Sequence, residues 1–332
     1  MKDAAEPGSD PGAAAVDVSR PGETSPTEDV RIAVLLLTYD QPADLFACLE
    51  SLLALEEHPE FDILVWENGS GSGTAPGMAR RFPGVRYHIA GANRGVAGGR
   101  NAAAALAVEL WDPTHLLFLD NDMVVEPGFV RELAAAHRAR PRLGQAQAKL
   151  RMMSQPTVLN DGGGCDVRFW LGRTRPVGVG EVDRGQYDRV RPCIAAGGAT
   201  LVRRSVFEEL GGFDTSFNPY GPEDLDFSLR LRRAGHEALF IPSALAYHRY
   251  NRTYVGKEFS AAYARGKARN WFRLMARHAT ALDWLGFLAL GAPLAALRTA
   301  VREIRRGNAA AIPALARGAL DAARGSGRKS VP

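Results

Sequence analysis

The sequence predicts an α/β protein built on a Rossmann-like doubly wound, mostly parallel sheet, with a helical extension toward its C-terminal end. Three observations carry this prediction. Short, wholly apolar runs of strand length alternate with helix-length segments between residues 32 and 119. Continuous apolar runs of that kind suit strands buried on both faces, and the strand–helix alternation gives a parallel order. Beyond residue 257 the strand-like runs stop, and the periodicity stays helical to about residue 324.

The elements follow in chain order. Residues 1–29 are rich in Ala, Pro, Gly, Ser, Asp and Glu with almost no large apolar side chain, so they are predicted to be disordered. Met1-Lys2-Asp3 leads into no apolar run and does not read as a signal peptide. The first strand is Ile32-Ala33-Val34-Leu35-Leu36-Leu37. Leu45, Leu49, Leu52 and Leu53 place a helix over 43–55, and Ile63-Leu64-Val65-Trp66 is the second strand. A short helix over 74–81, a strand over 85–89, an Ala-rich helix over 96–111 and a strand over 115–119 complete the alternating half. From about residue 144 the alternation weakens, and 150–192, with many Gly and Arg, reads as irregular or hairpin. A strand over 195–202 precedes a helix over 204–210, closed by Gly211-Gly212. A helix over 223–234 ends at Gly235, and 237–241 and 244–247 read as two short strands. This divides the chain into an α/β domain over 30–250, a basic helical extension over 251–325 and a disordered tail over 326–332.

Charge is unevenly spread. The chain carries +4 overall, but residues 249–332 hold sixteen Lys/Arg against four Asp/Glu, about +12, which leaves about −8 on the rest. A basic tail on an acidic body suits an anionic lipid surface better than nucleic acid. Cys48, Cys165 and Cys193 are odd in number and lack metal-ligand or redox spacing, which points to a reducing, cytoplasmic compartment.

Ligands of a doubly wound sheet bind beyond the carboxyl ends of its strands. Four polar sets fall there: Thr38-Tyr39-Asp40, Glu67-Asn68-Gly69-Ser70, the loop from Asn93-Arg94-Gly95 to Gly98-Gly99-Arg100-Asn101, and Asp120-Asn121-Asp122. Two carboxylates at i and i+2 after a buried strand suit a hard divalent cation, though they also suit a solvated turn. Gly98-Gly99-Arg100-Asn101 at a helix start offers backbone N–H groups and a guanidinium to a phosphate, or is simply where the helix begins. Glu223-Asp224 follows Pro222, where acids complement a helix dipole; Asp224 also suits a general base. His248 follows a short strand and is either structural or a third metal ligand.

Together these residues resemble the family-2 glycosyltransferases, in particular the rhamnosyltransferase-like and galactofuranosyltransferase-like members. The matching stretches are VLLLTYDQPADLFACLESLL, ILVWENGSGSGT, NRGVAGGRNAAA, HLLFLDNDMVVEPGFV, AGGATLVRRSVFEELGGFD and GPEDLDFSLRLRRAG, ending at LAYH, in the family's order over about residues 31–248. The resemblance implies a GT-A fold for residues 30–250, a nucleotide-diphosphate sugar donor carrying UDP or dTDP, and inversion at the anomeric carbon. By position, Thr38, Tyr39, Asp40 and Glu67, with Asn68 beside them, would line the nucleoside pocket. Arg94, Gly98 and Asn101 would lie along the donor site. Asp120, Asn121 and Asp122 form the Asp-x-Asp segment, with Asp120, Asp122 and His248 the ligands of Mn²⁺ or Mg²⁺ and Asp122 the more direct one. Asp224 matches the catalytic base, and Glu223 would contact the acceptor or orient the site. Many members carry Asp where Glu67 stands and Asn-Arg where Asp40-Gln41 stand, which leaves the nucleobase open. The Gln-x-x-Arg-Trp motif of processive synthases is absent, so a single transfer is implied, in cell-surface glycan or polysaccharide synthesis. The alternative is a catalytically inactive scaffold that binds a nucleotide sugar.

In the extension, residues 284–297 are uncharged, contain Pro293, and are too short to span a bilayer. Arg265, Lys267, Arg269, Arg273 and Arg277 precede them, and Arg298, Arg302, Arg305 and Arg306 follow. That pattern suits a helix lying on the cytoplasmic face of a membrane, near a glycan or lipid-linked acceptor. It equally suits helices packed on the domain or an oligomer contact.

Overall fold

The computed structural model describes residues 29–71, 73–195, 198–219, 221–249, 260–305, 307–309 and 311–325. Of the disordered segments expected at 1–29 and 326–332, all but Asp29 lie outside the described residues, as does Arg306.

The alternating half runs β1 (Ile32–Thr38), α1 (Pro42–Leu53), β2 (Phe61–Glu67), α2 (Ala75–Arg81), β3 (Arg86–Ile89), α3 (Gly95–Trp111) and β4 (His115–Asp120). β5 (Met123–Val125), α4 (Phe129–Ala139), β6 (Leu143–Met152) and β7 (Gln155–Asp161) follow, then a hairpin of β8 (Cys165–Arg168) and β9 (Arg173–Pro176). After β10 (Arg191–Pro192) come β11 (Ala199–Arg203), α5 (Arg204–Glu209), α6 (Glu223–Arg233) and β12 (Glu237–His248). The extension is α7 (Ala261–His278), α8 (Ala281–Gly286), a π-helical stretch at Phe287–Gly291, α9 (Ala292–Arg305) and α10 (Ala311–Gly325).

Among the described residues one sheet has the order β10-β12-β6-β11-β4-β1-β2-β3, with β5 joined to β12 and β7 to β6. β3, β2, β1 and β4 are mutually parallel; β11 enters antiparallel between β4 and β6. The sheet's two faces carry separate cores. Val34, Leu36 and Leu117 pack with α1 and α4 on one face, and Leu35, Leu64 and Phe118 pack with α3 and Phe227 of α6 on the other.

The structure differs from the sequence reading in three places. β6 is the longest strand but one, where the alternation was expected to fade. Its Gln145, Gln147 and Lys149 are as buried as Ala146, Ala148 and Leu150, so no apolar run marks it. Residues 237–248 form one strand, not two; the register against β6 shifts between Ile241 and Leu245, at Pro242-Ser243-Ala244. Residues 281–305 form one continuous helix of 25 residues, about 37 Å long and apolar enough to cross a membrane by length and composition alone. The sequence reading counted only its uncharged stretch; Asp283 and Arg298 lie inside the helix.

Candidate functional site

β1 and β4 are adjacent, while β2 and β3 lie on the other side of β1. The strand order therefore reverses at β1, and a crevice opens beyond the carboxyl ends of β1, β2 and β4. Thr38 closes β1, and its Oγ1 accepts a hydrogen bond from Asn121 Nδ2 at 3.1 Å, which ties the turn after β4 to the end of β1. Tyr39 is 50% exposed beside it, and Asp40 takes a left-handed backbone with φ of 56°. Glu67 closes β2, is buried, and accepts from the Ser70 N–H at 3.0 Å. Burial, with the Glu67 charge beside it, pushes the Tyr87 phenol up to about 12.

Asp120 closes β4, and its Oδ1 accepts from Arg100 Nη2 at 2.6 Å. Its backbone N–H donates to Gly198 O at 2.7 Å. A Cβ at Gly198 would lie 1.8 Å from Asp120 Oδ2, so any side chain there would displace the Asp120 carboxylate. β5 then pairs with the end of β12, placing Met123 opposite His248. That pairing sets His248 Nε2 3.3 Å from Asp122 Oδ1, while His248 Nδ1 meets Asn160 Oδ1 at 2.8 Å. Burial works against a charged imidazole, but Asp122 and Asp120 outweigh it and hold the His248 pKa above its ordinary value. Asp120, Asp122 and His248 each offer a ligand atom, and these atoms lie within 4.8 Å of one another. Two carboxylates and an imidazole form an oxygen-rich set that fits Mn²⁺ or Mg²⁺.

Glu223 and Asp224 begin α6 and face the same crevice. Burial, and then the Asp224 charge, raise the Glu223 carboxyl; burial above all raises Asp224. Arg100 is buried and feels Asp120, Glu223 and Asp224 together, so one guanidinium sits among both acidic sets. Asp226, one step further along α6, is fully buried. It accepts from Arg230, Arg277 and His278 at 2.7–2.8 Å, and these bonds outweigh burial to hold its pKa down. Asp161 caps Gly163 and Gly164, and burial pushes it up to about 6.

Other expected donor residues are engaged within the protein. Asn68 donates to Asn93 Oδ1 and Gly95 O and accepts from the Arg94 N–H, so it shapes the loop before α3. The Arg94 guanidinium lies 5.7 Å from the Trp66 ring. A Cβ at Gly98 would meet Arg94 Cβ at 3.1 Å, a close approach within the loop itself. Asn101 is tied to the Phe213 backbone, its Nδ2 donating to Phe213 O at 2.7 Å and its Oδ1 accepting from the Phe213 N–H at 2.9 Å, which leaves one further hydrogen and one lone pair on the amide. The sequence reading missed Gly198, Asn160 and the α7 residues that hold Asp226. Gly198 lay in a quoted motif as an unexplained glycine; Asn160 and α7 gave no signal because they reach the site only through pairing and packing.

Comparisons with known proteins agree with this architecture. The family model described as "Glycosyltransferase like family 2" matches residues 30–272. The N-acetylglucosaminyl-diphospho-decaprenol L-rhamnosyltransferase of Mycobacterium tuberculosis is 28% identical over 303 residues, covering 83% of this chain and 95% of that protein. Rhamnosyltransferase WbbL of Escherichia coli K12 is 26% identical, covering 74% and 93%. Two solved structures share the fold. GalNAc-T7 with UDP, GalNAc and Mn²⁺ has a TM-score of 0.59 at 15% identity; the match covers 74% of this chain and spans 48% of that protein's length. Mannosyltransferase PcManGT from Pyrobaculum calidifontis, in complex with GDP-Man and Mn²⁺, has a TM-score of 0.52 at 16% identity over 90% and 88% of the two chains.

Proposed function

The chain belongs to the glycosyltransferase-like family 2, and from that premise we propose that it moves one rhamnose from a dTDP- or UDP-linked donor to a lipid-linked glycan. The rhamnosyltransferase names of its relatives support the sugar, and the diphospho-decaprenol in one of those names supports the acceptor. The observation that carries the reading is the gathering of Asp120, Asp122 and His248 with Arg100 and the Glu223–Asp224 pair in one crevice.

In this reading Thr38, Tyr39, Asp40 and Glu67 seat the nucleoside, and Asn68 and Arg94 shape the wall beside it. Asp120, Asp122 and His248 would hold a divalent cation, with Asp122 the more direct ligand. Asp120 is also paired with Arg100, whose guanidinium would be available to the donor diphosphate. The bound cation supplies Lewis-acid stabilisation of the charge growing on the leaving diphosphate. Asp224 takes the proton from an acceptor hydroxyl. That oxygen attacks the anomeric carbon opposite the leaving group, whose bond breaks with its electron pair going to the diphosphate. One displacement inverts the centre. Burial, by raising the Asp224 pKa, makes this carboxylate a stronger base than an exposed one. The extension rests on the cytoplasmic face of the membrane through its apolar helix.

The test is nucleotide release from UDP-, dTDP- and GDP-sugars with Mn²⁺ or Mg²⁺, with and without EDTA. Asp224→Asn is expected to lower transfer by about a hundredfold or more while donor binding persists. Asp122→Ala is expected to weaken both metal dependence and turnover. Turnover unchanged by EDTA would overturn the metal assignment, and an active Asp224→Asn the assignment of the base.

A further inference from the structure

The strand and helix carrying the acidic residues do not by themselves fix where Glu223 and Asp224 point. Among its described residues, the segment leading into α6 has only a 3-10 turn at Thr215–Phe217, and the carbonyls of Ser216, Phe217, Asn218 and Gly221 take donors from one helix, α7. Arg273 donates to Ser216 O at 2.6 Å, Arg269 to Asn218 O at 2.9 Å, and Asn270 to both Phe217 O and Gly221 O, at 2.5 and 2.7 Å. Positions 269, 270, 273, 277 and 278 fall within one half of the helix surface. Arg277 and His278 continue the row onto Asp214 and Asp226, on either side of the catalytic pair.

Asn270 is fully buried, and its single amide nitrogen spends its two hydrogens on carbonyls four residues apart. This ties Phe217 to Gly221, two residues before Glu223. Gly221 is left-handed, with φ of 61°, and a Cβ there would lie 3.3 Å from Glu223 Oε2, so Gly221 abuts the catalytic side chain. The same segment reaches the donor side. Asn218 donates to Arg94 O and accepts from the Ala97 N–H, at the start of α3. The Phe217 carbonyl is buried, and no hydrophobic contact can replace the donor it takes from Asn270.

We propose that Asn270 is a positioning residue for the catalytic carboxylates: it sets the approach of the chain into α6 and so the aim of Asp224. The inference rests on the reading of Asp224 as the base. A group displaced by about 1 Å can cost ~100-fold in rate, while binding that does not depend on that group is kept.

The experiment compares the full-length parent with Asn270→Ala, Asn270→Ser, Asp224→Asn and the Asn270→Ala/Asp224→Asn double variant. The assay uses dTDP-rhamnose with Mn²⁺ and follows dTDP release. Asn270→Ala is expected to lower kcat at least tenfold with the donor KM within twofold, and Asn270→Ser, which keeps one donor, to fall between. In the Asp224→Asn background the Asn270→Ala change is expected to cost less than twofold, because the group it positions is gone. Thermal unfolding reports the folded fraction of each variant; should Asn270→Ala not fold, Asn270→Ser carries the test. Parent-like kcat in the folded variants, or an equal loss in both backgrounds, overturns the proposal. An Asp224→Asn enzyme as active as the parent instead overturns the base assignment on which it rests.

Discussion

His248 is held at both ring nitrogens. Asn160 Oδ1 lies 2.8 Å from Nδ1, and a carbonyl oxygen there takes the Nδ1 proton, so that Nε2, on the Asp122 side, is the nitrogen a cation would use in exchange for its proton. Asn160→Leu keeps the volume and removes the acceptor. It is expected to weaken Mn²⁺ binding by about tenfold, read by paramagnetic resonance of the free ion, with Asn160→Asp restoring it. Equal affinity in Asn160→Leu would mean the imidazole is oriented by something else. At this scale the sequence was legible where a motif was local: Asp120-Asn121-Asp122 and Glu223-Asp224 could be picked out by spacing. It was silent about the bonds Asn101 makes to Phe213, 112 residues away.

The helix over 281–305 shows how an element can be read correctly in kind and wrongly in extent. One side packs Phe287 and Gly291 against Trp170 and Gly172 of the β8–β9 hairpin. The other leaves Leu282, Leu285 and Leu288 at 64–78% exposure, with Leu297, Val301 and Ile304 continuing the exposure beside Arg298, Arg302 and Arg305. Because one flank is committed to the protein and arginines border the other, the proposed membrane contact is one of a helix lying in the interface rather than crossing it. Replacing Leu285, Leu288 and Leu297 together by Glu is expected to abolish flotation with anionic phosphatidylglycerol vesicles while dTDP release in solution stays within twofold. Flotation unaffected by these changes would remove the membrane reading. A parent protein that dimerises in solution, and a variant that does not, would assign the face to a second copy. β6 makes the opposite point about elements: its buried Lys149 is matched by Asp183, 34 residues on, a pairing that no local pattern announces.

At the scale of the whole molecule, a boundary at residue 250 runs through the site's support. A chain ending there keeps every motif carboxylate yet loses Arg277 and His278, two of the three partners of the fully buried Asp226, and Arg269, Asn270 and Arg273, which make four bonds to the carbonyls of Ser216, Phe217, Asn218 and Gly221. Removing partners from a buried charge costs on the order of 3–5 kcal/mol. The 1–250 fragment is therefore expected to show no cooperative thermal transition by circular dichroism, whereas a native-like melt from it would make the extension a separate unit. The family match, which runs on to residue 272 inside α7, agrees in placing part of that helix with the rest. The sequence by itself determined the α/β class, the parallel half-sheet and the acidic motifs, because apolar runs, helical spacing and short-range carboxylate patterns are written in neighbouring residues. Only the tertiary structure decided that His248 meets Asp122 through a β5–β12 pairing, that Arg100 stands among both acidic sets, and that α7 braces the chain leading to Asp224. Those are contacts between segments 20 to more than 120 residues apart, fixed by strand register and by the need of buried polar groups for partners, neither of which leaves a local trace.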